Sequence, residues 1–83
     1  MKKRLGFVGI IVENRKEQAG AVNVLLSEFG DIIVGRMGVP YHERNCSVIA
    51  LIVDADTDKV GALTGKLGKI PGISVKSALS KVA

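Results

Sequence analysis

The stretch Cys46–Asp54, CSVIALIVD, most constrains what this chain can fold into, because it has the composition of a β-strand but no polar face. It is short and rich in β-branched residues, and the turn-like sequence Asp54-Ala55-Asp56 ends it. Alternate side chains of a strand point to opposite faces of a sheet, and a strand with one wet face alternates apolar with polar residues. We therefore expect this strand to lie in the middle of a sheet whose two faces are both covered.

The segment Leu5–Val12 is also apolar on both sides and predicts a second central strand. Two other segments have the patterns of edge strands. Arg36 interrupts the apolar sequence of Ile32–Met37, and Ile73–Leu79 alternates large apolar residues with polar or small ones. The connection Gly38–Asn45 contains Gly, Pro, Asn and charged residues, which predict a hairpin loop.

Two helices are predicted between the strands. The first opens at Asn14, with Glu17 three residues later as a loose capping box, and Gly30 fits the left-handed position just past a helix end. The second begins at Thr57 or Asp58, where acidic residues suit the positive end of the helix dipole. The apolar stripes at helical spacing are Val22, Leu25, Leu26 and Phe29 in the first helix, and Val60, Leu63 and Leu67 in the second.

The resulting order β-α-β-β-α-β is that of the split βαβ arrangement. We therefore expect an α+β, ferredoxin-like βαββαβ sandwich, in which two helices cover one face of a four-stranded antiparallel sheet. The first and third strands are central in that fold, and they are the two strands with apolar residues on both faces. No linker or low-complexity segment divides the 83 residues, so we expect a single domain.

The face of the sheet without helices would expose about six large apolar side chains, whose burial is worth on the order of 10 kcal/mol. A patch of that kind usually marks an interface, so we expect self-association through the sheet, the alternative being a monomer with an open apolar face. Glycines on the second helix also suggest that something approaches it closely. The candidate interface residues are Val48, Ala50, Ile52, Gly61 and Gly65.

Composition excludes several functions. One cysteine permits no internal disulfide and suits a reducing cytosol, so we expect a cytoplasmic protein. Part of the net charge of +4 comes from Lys2-Lys3-Arg4 at the terminus, so direct nucleic-acid binding is not expected. The first 12 residues resemble a signal peptide, but charged residues from Glu13 onward separate them from the cleavage-like Ala19-Gly20-Ala21. No apolar run is long enough to span a membrane.

Catalytic signatures are also missing. The glycines of Gly61–Lys66 are separated by three residues rather than the four of a phosphate-binding loop. We therefore expect neither an enzyme nor a cofactor. His42 and Cys46 are the single His and the single Cys, and one of each cannot complete a transition-metal site. A two-fold interface could pool two of each into a metal site, and the alternative is an exposed loop His with a small buried Cys.

Three segments resemble a known family. Gly35–Tyr41, Val48–Asp54 and Ala62–Gly68 are similar to small proteins named iron-only hydrogenase system regulators. Ile70–Val75, IPGISV, resembles the close of ACT domains, which bind small effectors, often amino acids, at subunit interfaces. Asn45–Val53 resembles a strand of the tetramer-forming domain of nickel-responsive repressors.

The resemblance implies a regulatory role linked to hydrogenase expression or maturation, without a mechanism. It places Cys46 on the cysteine ligand of the nickel repressors, but Pro40 and Gly38 stand where those proteins have two histidine ligands. The nickel ligand set is therefore broken. ACT domains usually have a glycine in the turn after the first strand, and this chain has none there before Gly20.

Together these features predict that residues 1–83 form one ACT-like regulatory domain that associates as a dimer or tetramer. Arg36 would pair an anionic effector group, Tyr41 would supply a ring and a hydroxyl, and His42 would change charge near neutral pH. Metal sensing and regulation through a protein partner stay open as alternatives. The candidate ligand-binding residues are Arg36, Gly38, Pro40, Tyr41, His42 and Arg44.

Overall fold

The computed structural model describes residues 2–13 and 15–81, and, for side chains in the second range, those from residue 18 onward. The elements are β1 (Arg4–Glu13), α1 (Arg15–Glu28), β2 (Ile33–Tyr41), β3 (Cys46–Ala55), α2 (Thr57–Gly68) and β4 (Ile73–Leu79), with short 3₁₀ turns at Gly30–Ile32 and His42–Arg44. The sheet order is β2-β3-β1-β4, and every pair of neighbours is antiparallel. The predicted α+β ferredoxin-like fold is therefore confirmed.

The core lies between the sheet and the two helices. Val8 and Leu51 are opposite each other on the central strands, and both are almost fully buried. The helices cover them with side chains at helical spacing, as predicted, although Leu25 and Phe29 are only partly buried. The fully or nearly fully buried helix residues are Val22, Leu26, Val60, Leu63 and Leu67.

The predicted hairpin loop Gly38–Asn45 is wrong over its first half. Strand β2 continues to Tyr41, and Gly38 and Tyr41 pair with Ile49 and Cys46 of β3. Gly and Pro favour loops in isolation, but Pro40 is tolerated here because β2 is an edge strand. The connection is one short turn, His42–Arg44, closed by Asn45 in the left-handed conformation at φ 51°.

The helix ends follow the prediction in part. Helix α2 begins at Thr57, and Asp56 Oδ1 accepts a hydrogen bond of 2.9 Å from the backbone N–H of Lys59. The capping box predicted at Asn14 and Glu17 falls outside the described residues and side chains. No described helix has the length and apolar character that a membrane span needs.

The left-handed glycine is not at the predicted position. Gly30 starts a 3₁₀ turn, which carries Ile32 into the core, and among the described glycines Gly72 has the positive φ, 79°. Gly72 sits where the chain enters β4, and its carbonyl accepts a hydrogen bond of 2.9 Å from Glu13 N–H. The chain after α1 therefore turns by continued helical winding instead of a left-handed cap.

No described part of this chain makes the close approach expected at Gly61 and Gly65. Both glycines are exposed, and a Cβ added to either would meet nothing within 4 Å. The close approach is at Gly6 of β1, where an added Cβ would lie 2.5 Å from the carbonyl oxygen of Ala78 and would also collide with the side chain of Leu79. A subunit contact at Gly61 and Gly65 stays a prediction.

Candidate functional site

The surface of the sheet opposite the helices, which we call the open face, is apolar at its centre, and none of the described residues covers it. The strand register aligns the residues of this face in rows across the four strands, and we call each row a level. From β2 to β4, the Phe7 level is Gly35, Ile52, Phe7 and Ala78; the Gly9 level is Met37, Ala50, Gly9 and Lys76; and the Ile11 level is Val39, Val48, Ile11 and Ser74.

Large side chains of the open face are exposed to an unusual degree. Phe7 and Met37 are each 65% exposed, and Ile52 is 48% exposed. An apolar groove of about 270 Å³ begins beside Phe7 and Ile52 and runs between Leu5 and Ala78 at one end of the sheet. The three strand residues predicted for the interface, Val48, Ala50 and Ile52, all lie on this face. The predicted second apolar face is therefore present and has no cover within the described chain.

The opposite end of the open face is polar. Glu13, Cys46 and Tyr41 form its last level, and the Tyr41 hydroxyl donates a hydrogen bond of 3.1 Å to Glu43 Oε2. Cys46 is buried, while His42 in the adjoining turn is exposed. Among the described residues no group of three or more His, Cys, Asp or Glu side chains is placed to hold a metal ion.

A second candidate site is a cleft on the helix side of the sheet, between α1 and the edge strand β2, which we call the edge cleft. Its volume is about 180 Å³. Drug-sized ligands occupy pockets of about 300–1,000 Å³, so this cleft suits a smaller molecule. Its lining is Val12, Ala19, Val22, Asn23, Arg36, Gly38, Val39, Pro40, Ser47 and Ile49.

Arg36 supplies the charge of the edge cleft. Its Nη2 donates a hydrogen bond of 3.1 Å to Asn23 Oδ1 on α1, which ties the edge strand to the helix. A guanidinium has five N–H donors, so one bond to an amide oxygen leaves capacity for a carboxylate or phosphate. Val12 and Val22 provide an apolar wall, and the Ser47 hydroxyl is also in the lining. The arrangement is chemically suited to a small anion with an apolar part.

The six predicted ligand-binding residues lie in two separate places in the structure. Arg36, Gly38 and Pro40 line the edge cleft together. Tyr41, His42 and Arg44 are not in its lining: Tyr41 belongs to the polar end of the open face, and the other two lie in the exposed turn. The extension of β2 explains the division, because in a strand neighbouring residues point to opposite faces.

Sequence reasoning missed Asn23 and Ser47. Asn23 has the helical phase of the wet side of α1, so its contact with Arg36 follows only from knowing that β2 lies under that side of the helix. Ser47 could have been found, since it is the polar residue in the core-facing set of β3, opposite Val12. In the structure this residue is part of the lining of the edge cleft.

Comparison with protein families gives one match over most of the chain. Residues 4–77 match the TM1266-like family, described as "Iron-only hydrogenase system regulator, putative". This chain belongs to that family. Membership confirms the resemblance seen in Gly35–Tyr41, Val48–Asp54 and Ala62–Gly68, and it supports a regulatory module as the general function. A comparison with curated proteins finds no match.

Solved structures extend the comparison. The uncharacterized protein TM1266 from Thermotoga maritima is 41% identical, with a TM-score of 0.92 over 96% of this chain and 100% of that chain. The ACT domain of GTP pyrophosphokinase from Chlorobium tepidum is 22% identical, with a TM-score of 0.75 over 94% of this chain and 89% of that chain. This likeness shows that the fold is that of an ACT domain.

A third solved structure has a related fold. CPII, a nitrogen regulatory PII-like protein from Thiomonas intermedia K12, was solved bound to ADP, AMP and bicarbonate. It is 18% identical to this chain, with a TM-score of 0.52 over 95% of this chain and 93% of that chain. The likeness to CPII therefore lies in the fold.

Proposed function

We propose that this chain is a non-enzymatic regulatory module of iron-only hydrogenase systems, which works in the cytoplasm as a dimer or tetramer joined through its open face. The observation that carries the proposal is the exposed apolar centre of that face, with Phe7 and Met37 each 65% exposed. Burying each such side chain is worth about 1.5–3 kcal/mol, so leaving the centre of this face in water is unfavourable.

The size of the open face supports a second copy as the occupant. The sheet has four strands about 4.8 Å apart, and its central strands β1 and β3 have 10 residues each at about 3.4 Å per residue, so its open face covers roughly 650 Å². A standard stable interface buries about 800 Å² on each partner. Face-to-face packing of two copies would therefore use most of this surface, as obligate oligomers of small domains do.

The second part of the proposal is that the edge cleft binds a small anionic effector. Arg36, held by Asn23, would pair the anionic group, and the wall formed by Val12 and Val22 would contact an apolar part. The position of the cleft on the edge strand supports a regulatory role, because a ligand there would contact both β2 and α1. Ligand binding could then shift how the edge strand meets a partner.

Light scattering on a sizing column, with metal analysis of the same peak, tests self-association. We expect a dimer or tetramer without stoichiometric metal. Ile52→Lys should give a monomer, because it places a charge at the centre of the open face, and Val24→Lys should not, because Val24 is exposed on α1 instead. A monomeric parent chain would overturn the proposal. Metal at one per chain or per pair would favour the metal-sensing alternative with His42 and Cys46.

Thermal unfolding with a panel of small carboxylates and phosphates tests the effector site. We expect at least one compound to raise the unfolding temperature of the parent chain, and Arg36→Ala to abolish that rise. Arg44→Ala is the matched control, since Arg44 is an exposed arginine outside the cleft lining. An Arg36→Ala protein that binds the compound as tightly as the parent would count against the site. No response across the panel would favour regulation through a protein partner.

A further inference from the structure

The two central levels of the open face have opposite patterns of side-chain size. The Phe7 level is small at both edges and large in its centre, where Ile52 and Phe7 lie. The Gly9 level has the reverse order, with Ala50 and Gly9 in its centre and long side chains at its edges. Every strand of the sheet therefore has one large and one small residue at these two levels.

The small centre of the Gly9 level is an open depression. A Cβ added to Gly9 would meet only the carbonyl oxygen of Lys76, at 4.0 Å, so the space above this glycine is free. Phe7 stands beside it on the same strand, 65% exposed. A side chain that projects and a depression that could receive it thus lie about 7 Å apart on one strand, at two residues of about 3.4 Å each.

We propose that two copies pack open face to open face about a two-fold axis that crosses the strands between the Phe7 level and the Gly9 level. This inference rests on the proposed self-association and specifies its geometry. Such an axis places each strand over the same strand of the partner. It also reverses the order in which the levels follow one another along the strands. The Phe7 level of one protomer then lies over the Gly9 level of its partner, and the reverse holds by symmetry.

All four contacts at these levels become large over small. Phe7 enters the depression at the partner's Gly9, and Ile52 lies over the partner's Ala50. At the edges, Met37 lies over the partner's Gly35, and the Lys76 stem lies over the partner's Ala78. Packed sheets are about 10 Å apart and turned by about 30°, so contacts nearest the axis keep their register best. The complementary levels are the two that flank the axis.

Other axes give poorer packing. A two-fold axis parallel to the strands, between β1 and β3, would set Phe7 against the partner's Ile52 and leave a void between Gly9 and the partner's Ala50. An axis one level further along, between Gly9 and Ile11, would pair large with small on three strands but would set Met37 against the partner's Val39 on β2, whereas the proposed axis has no large-against-large contact at the levels beside it. Interiors are close-packed, and both voids and overpacked contacts are unfavourable.

A mixing experiment with two variants tests this axis. Phe7→Ala leaves two empty depressions in a homodimer, and Gly9→Phe fills both depressions that Phe7 must enter. We expect each variant alone to dissociate at least about tenfold more readily than the parent. In a one-to-one mixture, the heterodimer sets the truncated position 7 of one variant over the filled position 9 of the other. Its second contact is the native one, Phe7 over Gly9, so it should form with an affinity within about threefold of the parent.

The outcomes separate this inference from the proposed function. Failure of the mixture to associate, with a parent that is dimeric and an Ile52→Lys variant that is monomeric, would overturn this axis and leave self-association standing. A monomeric parent would overturn both. Circular dichroism checks that each variant is folded. If either is not, Ile52→Ala mixed with Ala50→Ile repeats the test on β3, where the same axis predicts the same rescue.

Discussion

Strands β1 and β3 each have two apolar faces, and the described part of the chain covers one of them and leaves the other open. Leu51 is 1% exposed and its neighbour Ile52 is 48% exposed; Val8 is fully buried and its neighbour Phe7 is 65% exposed. The two sides differ because the crossovers β1-α1-β2 and β3-α2-β4 run in opposite directions on antiparallel strands. Right-handed crossovers then place both helices on the same side. The apolar residues of a strand show that its face must be buried. The topology of the crossovers decides whether helices of the same chain bury it.

The largest expected effect distinguishes these two faces with adjacent residues. Leu51→Ala should lower the free energy of unfolding by about 2–5 kcal/mol, because it leaves a cavity under the helices. Ile52→Ala should lower it by less than about 1 kcal/mol in dilute protein, and by more as the protein concentration rises, since Ile52 contributes only in the oligomer. Urea unfolding at two protein concentrations measures both. Equal effects at both concentrations would show that the open face is not an interface.

A close pair of glycines sharpens the same comparison. Gly6→Ala should destabilise the fold by about 1–3 kcal/mol, because the added Cβ meets the backbone oxygen of Ala78 on the neighbouring strand. Gly9→Ala should change the stability of dilute protein by no more than about 0.5 kcal/mol, because Gly9 lies on the open face with free space above it. Thermal unfolding of the two variants provides the test. A Gly9 variant as unstable as the Gly6 variant would contradict the described β1–β4 packing.

The covered face and the edge strand β4 were largely predictable from the sequence, and the second half of the edge strand β2 was not. Core residues such as Leu51 and Leu63 follow from periodicity, and the helix start at Thr57 follows from Asp56. Strand β2 was predicted too short, because Gly38 and Pro40 favour a loop unless β3 offers them a partner. The edge cleft needs that longer strand, so only its Arg36, Gly38 and Pro40 were found.

Loss of the N-terminal cap of α2 should lower the stability of the fold without changing its self-association. Asp56→Ala removes the side chain that accepts the Lys59 N–H bond, and we expect it to lower the free energy of unfolding by about 0.5–2 kcal/mol. Asp58→Ala, in the first turn of α2, is the control and should cost less, about 0.3–1 kcal/mol from the helix dipole. Sizing should show the same oligomer for both. A loss of association in the Asp56 variant would mean that α2 also contributes to the interface.

The smallest expected effect comes from the ion pair between the connection after α1 and the first turn of α2. Lys59 Nζ lies 3.6 Å from Asp31 Oδ2, and both side chains are more than half exposed. Lys59→Ala should change the free energy of unfolding by less than about 0.5 kcal/mol, because water and salt screen such a pair. The backbone N–H of residue 59 still reaches Asp56 in this variant, so the cap is preserved. Urea unfolding should give a small difference at low salt and a smaller one at about 1 M salt. A loss above about 1 kcal/mol that disappears at high salt would show that charge, as well as apolar packing, holds the helices on the covered face.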